Sequence, residues 1–448
     1  MFALDDALAP ELAARASAAG LTVTLPDGST RPIPTTTTAT LRSAAELKHA
    51  AHVSRDIASA IVRLANAALA GRVPDVVRPA LSPLERHFAE RVPVEALAVS
   101  RVDYFDGDGL RALELNATIP AMQHYGDVAT TCWRSLYGPT APAATPSNTA
   151  ALIRVLTEAG RSRLGHAPER VAILARRNDA QLGELNGIAA AWRERGPAVR
   201  IVYPDQLHHG EGGWTADGWA FDFVYRHLFV RRLEGDAAPE AIALLSDPKV
   251  ALFNPPASQF EVKAVLALLS EAEHDGDLAT VAQIDADVLS VIPWTRRLMA
   301  GRSLGPDGRE VDVLDHVARD PDRFVLKRSW DYGGRAVFVG SGRQGSGFGT
   351  RVLAAFGRPM TWAELVGACA SDPRGGGFIV QERVEPRVES HRLATAEGVI
   401  PAELFVDLSH YASVGLPDPG WGAVVRGSTD DVVNIVGGGG VIPLLMGA

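Results

Sequence analysis

From Arg170 to Leu207 the chain runs as apolar strand, helix and apolar strand: "RVAILARR", then "AQLGELNGIAAAWRERG" ending near Gly196, then "AVRIVYPDQL". Strand, helix, strand at this spacing is a βαβ unit, and such units build parallel sheets. The predicted fold class is therefore α/β (or α+β, where antiparallel elements lie beside it), with a Rossmann-like segment in the middle of the chain. The G-x-G-x-x-G fingerprint is missing, so no dinucleotide site is expected there. "WAFDFVYRHLFV", Trp219 to Val230, reads as a further buried strand carrying Asp222 and Arg226.

Other segments divide the chain around this unit. Residues 41–72 place apolar side chains at three- and four-residue spacing and predict a long amphipathic helix. "YGPTAPAATPSN", residues 137–148, has a linker's composition. These features predict an N-terminal lobe over 1–136, a linker over 137–148, the Rossmann-like domain over 149–258 and a C-terminal region over 259–448. That region opens with a helix bearing Lys263 and continues as strands separated by Gly-rich and acidic turns.

Composition excludes several classes. A formal net charge of −9 lacks the basic excess of a nucleic-acid binder. Two cysteines, Cys132 and Cys369, give neither a disulfide framework nor a zinc pattern, and fit a reducing compartment. The start "MFALDDALAPELAARA" has acids where a signal peptide has bases, and no apolar run is long enough to span a bilayer. A cytoplasmic protein with no membrane partner is expected.

Four stretches carry candidate chemistry. "SRVDYFDGDGLRALELNATIP", Ser100 to Pro120, reads as a hairpin turning at "DGDG". An even-numbered loop pairs 101 with 114 and 103 with 112, which puts Arg101, Asp103, Glu114 and Asn116 on one face; a three-residue loop would split them. Two carboxylates and an amide oxygen suit Mg²⁺ completed by phosphate and water, with Arg101 on the phosphate, although the same pattern also describes a solvated face. "FVLKRSWDYGGRAVFVG" sets Lys327 beside a turn holding Gly333 and Gly334, whose backbone N–H groups can approach phosphate oxygens. "GFIVQERVE" turns polar at Gln381 and Glu382, as a strand end reading an adenine edge would, or as a strand leaving the core does. "VVNIVGGGGVIP" holds Gly437 to Gly440, either a loop with a close backbone approach or a flexible tail.

Together these stretches resemble the ATP-grasp enzymes. "RVD…ELNATIP" is similar to that superfamily's metal-binding motif, "VLKRSWDYGG" to its phosphate-binding Lys and covering loop, "IVQERVE" to its adenine hinge, and "ESHRLATAEG" to the strand that follows. The metal motif ordinarily comes last, whereas here it precedes Lys327. That order resembles the circularly permuted ATP-grasp proteins related to glutathionylspermidine synthetases, which place a Rossmann-like pre-ATP-grasp segment in between. Two departures stand out: the Pro lies one place further from E-x-N than in the family, and "KRSWDYGG" replaces the familiar K-P.

The resemblance implies roles for matching residues. Lys263 and Lys327 would meet ATP phosphates beneath Gly333 and Gly334. Gln381, Glu382 and Val384 would line the adenine site, with Glu389 on the ribose. Asp103, Glu114 and Asn116 would bind Mg²⁺, and Arg101 and Arg392 would hold the transferring phosphoryl group. It further implies a carboxylate–amine ligase acting on small molecules through an acyl phosphate. An ATP-dependent phosphotransferase that makes no amide and a catalytically silent ATP-binding protein are the alternatives.

Overall fold

The computed structural model describes residues 2–91, 93–236, 238–331, 333–334, 336–340, 347–435 and 439–447. The long helix forms over Ala44–Leu69. Its start is set by a capping box: the Glu46 backbone N–H donates to Ser43 Oγ, and the Glu46 carboxylate accepts from the Ser43 backbone N–H. Val53, Ile57, Ile61 and Leu64 recur on the helix's buried face. That face packs on the 17-residue strand Gly398–Val414 and the helix Lys263–Glu271.

The βαβ reading corresponds to a four-stranded sheet in the order Ala198–Val202, Arg170–Ala175, Phe223–His227, Ala251–Phe253, with every pairing parallel. Side chains of its central strands alternate between two cores. Val171, Ile173 and Phe223 pack with Leu152, Ile188 and Trp192 of the flanking helices; Ala172, Leu174 and Val224 pack with Leu228, Leu233 and Leu244 on the other face. Burial on both faces is what a parallel sheet requires. The predicted strand over 219–230 is shorter, Phe223–His227, because Trp219 and Ala220 join a separate three-stranded antiparallel sheet.

Two other sheets build the walls of the site. A four-stranded antiparallel sheet runs Thr295–Arg297, Phe378–Glu382, Phe324–Arg328, Val337–Val339. A seven-stranded sheet runs Arg387–Thr395, Thr35–Thr36, Gly440–Ile442, Ala423–Ser428, Gly398–Val414, Leu97–Phe105, Arg111–Asn116. The first half of Gly398–Val414 also pairs with Arg387–Thr395, so five of these strands close into a ring of pairings, while the second half pairs with the Leu97–Phe105 arm of the hairpin.

The segment over 137–148 is tied down within the fold. Ala143–Ala144 pairs with Leu445 and Met446, whose strand also pairs with residues 40–43. Among the described residues no helix is long and apolar enough to cross a membrane.

Candidate functional site

The antiparallel four-stranded sheet and the hairpin end of the seven-stranded sheet face each other across a cleft of about 880 Å³, its open mouth included. The hairpin register decides what reaches it. Arg101 pairs with Asn116 and Asp103 with Glu114, then a bulge at Leu113 shifts the ladder so that Tyr104 meets Ala112. The expected partners of 101 and 103 are thus each displaced by two residues, and all four side chains still share one face because two residues is the period of a strand. Leu113, skipped by the ladder, offers its carbonyl to Lys327 Nζ at 3.1 Å.

The four do not reach the cleft equally. Arg101 lies behind Asp103: its Nε and one terminal nitrogen grip the two Asp103 oxygens at 2.6 and 2.9 Å, and the other nitrogen donates to the Ala121 carbonyl at 2.8 Å. Asn116 donates to Asp103 Oδ2 at 3.2 Å and does not line the cleft. Asp103 lines it with a side chain only 4% exposed, against 33% for Glu114, so Glu114 is the carboxylate open to a ligand. Burial works against the Asp103 charge, yet Arg101 and Arg426 together hold its carboxyl well below the usual range. Burial also opposes charge on Glu114, and Lys263 and Lys327 outweigh it to bring that carboxyl below its ordinary value.

The opposite wall is cationic. Lys263 begins the helix Lys263–Glu271, with its Nζ 3.2 Å from Glu114 Oε2 and 2.9 Å from the Asp331 carbonyl. Lys327 sits on the strand Phe324–Arg328 with its Nζ 2.7 Å from Gln381 Oε1 on the neighbouring strand. Burial pushes the Lys327 ammonium down to about 8; Lys263 adds to the effect and Glu114 opposes it. Gln381 is buried and also donates to Thr295 Oγ1. Glu382 and Val384 line the cleft at the strand's exit, where Arg323 pairs with Glu382 at 3.0 Å and the Glu382 N–H donates to the Trp294 carbonyl.

Gly333 and Gly334 line the cleft with φ of +69° and +72°. A Cβ on Gly334 would come within 2.8 Å of Val432 Cγ1, and Asn434 donates to the Gly333 carbonyl at 2.9 Å. The turn is therefore seated on the segment after Ser428. Of the glycine run, Gly437 and Gly438 lie outside the described residues; Gly439 donates to the Asn434 carbonyl, and Gly440 opens a strand.

Two expected residues lie elsewhere. Glu389 accepts from Thr40, Arg42 and His391, and Arg392 pairs with Asp6. Their strand pairs with residues 398–406, whereas the cleft is built around Asp407, further along the same long strand. In the place expected of Arg392 stands Arg426, which sequence reading missed. Arg426 lines the cleft, donates to Asp103 Oδ2 at 2.9 Å and makes two bonds to Asp407. Burial raises the Asp407 carboxyl to about 6, against the pull of Arg426. The available signal was a charge inside an apolar strand, in "AVVRGS" and in "LFVDLSHY".

No family model matches the sequence, and no curated protein is detectably similar to it. Among solved structures, a putative gamma-glutamylcysteine synthetase from Methylobacillus flagellatus aligns over 88% of this chain and 85% of its own at 11% identity and a TM-score of 0.41. The glutathione synthetase-like effector GSS30 from Globodera pallida, in its apo form, aligns over 99% of this chain and 96% of its own, at 13% identity and a TM-score of 0.61. The chain thus shares a glutathione synthetase-like fold along nearly its whole length.

Proposed function

We propose that the protein is an ATP-dependent carboxylate–amine ligase. In this reading the four-stranded antiparallel sheet and the seven-stranded sheet are the halves of an ATP-grasp fold with its motifs in permuted order, and the parallel sheet is the Rossmann-like pre-ATP-grasp segment. The observation that carries it is the cleft, where Lys263, Lys327 and Arg426 confront Glu114, Asp103 and Asp407 beside a glycine turn. The fold shared with a glutathione synthetase-like protein supports the same class.

The residues fit a hard divalent cation in a limited way. Among the described residues no three His, Cys, Asp or Glu side chains assemble into a metal site of their own. Mg²⁺ commonly uses one or two carboxylates and takes its other ligands from phosphate and water, and Glu114, open to the cleft, supplies one. Asp103 would be the further donor in this reading, with Asn116, expected beside it, holding Asp103 from outside the cleft. Bound there, Mg²⁺ would neutralise charge on the transferring phosphate.

Lys263, Lys327 and Arg426 hold the phosphates, and the backbone of Gly333 and Gly334 covers them. Gln381, Glu382 and Val384 face the base. A substrate carboxylate oxygen attacks the γ-phosphorus and ADP leaves; an amine then attacks the acyl carbon, the C–O bond to phosphate breaks, and the nitrogen loses a proton. Positioning and charge neutralisation supply most of the catalysis in such steps, and a covered site limits hydrolysis of the acyl phosphate. For the substrates, the carboxyl ends of parallel strands are the usual ligand side. Near that edge Thr118 Oγ1, His227 Nδ1, Ser258 Oγ and Gln259 Nε2 are buried with no hydrogen-bond partner among the described residues, which leaves polar groups there for a substrate or water to satisfy.

One observation favours a second reading, a silent ATP-binding protein: both Asp103 oxygens are already taken by Arg101 and Arg426. Incubating the protein with Mg²⁺·ATP and a panel of small carboxylates, each with and without amines, separates the readings. ADP formation that needs both partners, with a product one water lighter than their sum, is expected. ADP with a phosphorylated product and no amine requirement would mean a phosphotransferase, and ATP binding without turnover would favour the silent protein.

A further inference from the structure

We propose that Glu184 is a positioning residue for the cleft: it holds the Ala121–Met122 turn in a strained conformation from which Arg101 aims the Asp103 carboxylate. The proposal rests on reading the cleft as a nucleotide site.

Glu184 is fully buried in the first turn of the helix Leu182–Arg193, which packs on the parallel sheet rather than on the cleft. Its Oε2 accepts from the Met122 N–H at 2.9 Å and its Oε1 from the His124 N–H at 3.2 Å. Met122 has φ +89°, a conformation that a residue with a side chain adopts only when its surroundings enforce it. The preceding carbonyl, Ala121, accepts from Arg101 at 2.8 Å and from the Tyr411 hydroxyl at 2.9 Å. The remaining Arg101 nitrogens end on both oxygens of Asp103. One peptide unit therefore joins a buried carboxylate on the parallel-sheet side to the carboxylate of the cleft.

The helix is shaped for this approach. A Cβ on Gly183 would lie 2.4 Å from the Gly20 carbonyl oxygen, and one on Gly187 would lie 1.9 Å from His124 Nε2. Gly187 thus lets the helix close on His124 just after the turn, and Gly183 lets its first turn close on the segment around Gly20 and Thr22. The helix Gln123–Tyr137 has no side-chain cap of its own, so Glu184 also serves its first N–H groups. A capping role alone makes no demand on Asp103, and that difference is testable.

The test measures dissociation constants of Mg²⁺·ADP and of metal-free ADP by calorimetry, together with amide exchange at Met122 and His124, in the wild type, Glu184→Gln, Glu184→Asp, Arg101→Lys and the Glu184→Gln/Arg101→Lys double variant. Glu184→Gln is expected to weaken Mg²⁺·ADP at least fivefold while metal-free ADP stays within twofold, with Glu184→Asp losing less. In the double variant the loss should fall short of the product of the single losses. Equal effects on both ligands, no effect on either, or multiplicative losses would overturn the proposal. A wild type that binds no adenine nucleotide would instead sink the nucleotide reading. Exchange then decides: Met122 and His124 amides at least tenfold faster in both Glu184→Gln and Arg101→Lys support the link, and unchanged rates in either variant overturn it.

Discussion

Lys327 and Glu114 stand on opposing sheets, and burial disfavours the charge on both, but the neighbouring lysines keep Glu114 ionised while the Lys327 ammonium is weakened. The Lys327 ammonium, at about 8, loses its proton within an accessible pH range. If it binds phosphate, ATP affinity should fall about tenfold between pH 7 and pH 9, since only the protonated fraction binds. Lys327→Arg, charged throughout, should flatten that profile; a flat wild-type profile would remove Lys327 from the phosphates. The shift has a consequence for folding too. The unfolded chain holds this proton up to the ordinary lysine value, so Lys327 disfavours the fold below pH 8, and that cost is relieved as pH rises from 8 toward 10.5. Glu114→Gln keeps the size of the cleft's open carboxylate and removes its charge. We expect at least about a 100-fold loss of Mg²⁺-dependent turnover with nucleotide affinity changed only a few-fold, the scale of losing one group that meets developing charge. Full turnover in that variant would remove Glu114 from metal binding.

At the scale of single elements, the hairpin and the glycine turn show what a local pattern can and cannot carry. Alternation put Arg101, Asp103, Glu114 and Asn116 on one face under an even loop, and they share it, but the partners come from a bulge at Leu113 that no sequence pattern announces. Which of the four meets the cleft depends on Arg426 and Asp407, brought in by strands from the far end of the chain, and lay outside local reasoning. Glu389 and Arg392 show the reverse. Their motif reads locally, yet their strand pairs with the wrong half of the Gly398–Val414 strand to reach the cleft. The glycine turn is open to a paired test. Gly109 and Gly334 both have positive φ, but a Cβ on Gly109 meets nothing within 4 Å among the described residues while one on Gly334 meets Val432. Alanine at either should cost about 1 kcal/mol of stability from backbone strain. Only Gly334→Ala should also speed ADP dissociation, by stopped flow, because it alone pushes the turn off the segment that seats it. Equal dissociation rates in the two variants would mean that the turn does not cover the nucleotide.

Across the whole molecule, the architecture is closed by pieces too short to read. The parallel sheet was legible because its strands are apolar and separated by an amphipathic helix, so period and burial agree. Thr35–Thr36, Ala143–Ala144 and Leu444–Gly447 carry two to four residues each, with no periodicity to detect, and their pairing joins the chain's beginning, its apparent linker and its end. Leu444–Gly447 lies between the strand Thr38–Ser43 and Ala143–Ala144, with Leu444 and Leu445 at 2% and 0% exposure. Burying two leucines contributes roughly 3–6 kcal/mol, a large share of the roughly 5–15 kcal/mol that holds a typical domain folded. Removing residues 444–448 should therefore lower the melting temperature sharply or abolish cooperative unfolding, whereas Met446→Ala, which keeps the backbone ladder, should cost far less. If the truncated chain melts within a degree or two of the full one, the short strand is an ornament and the ends of the chain are held by the ring of pairings alone.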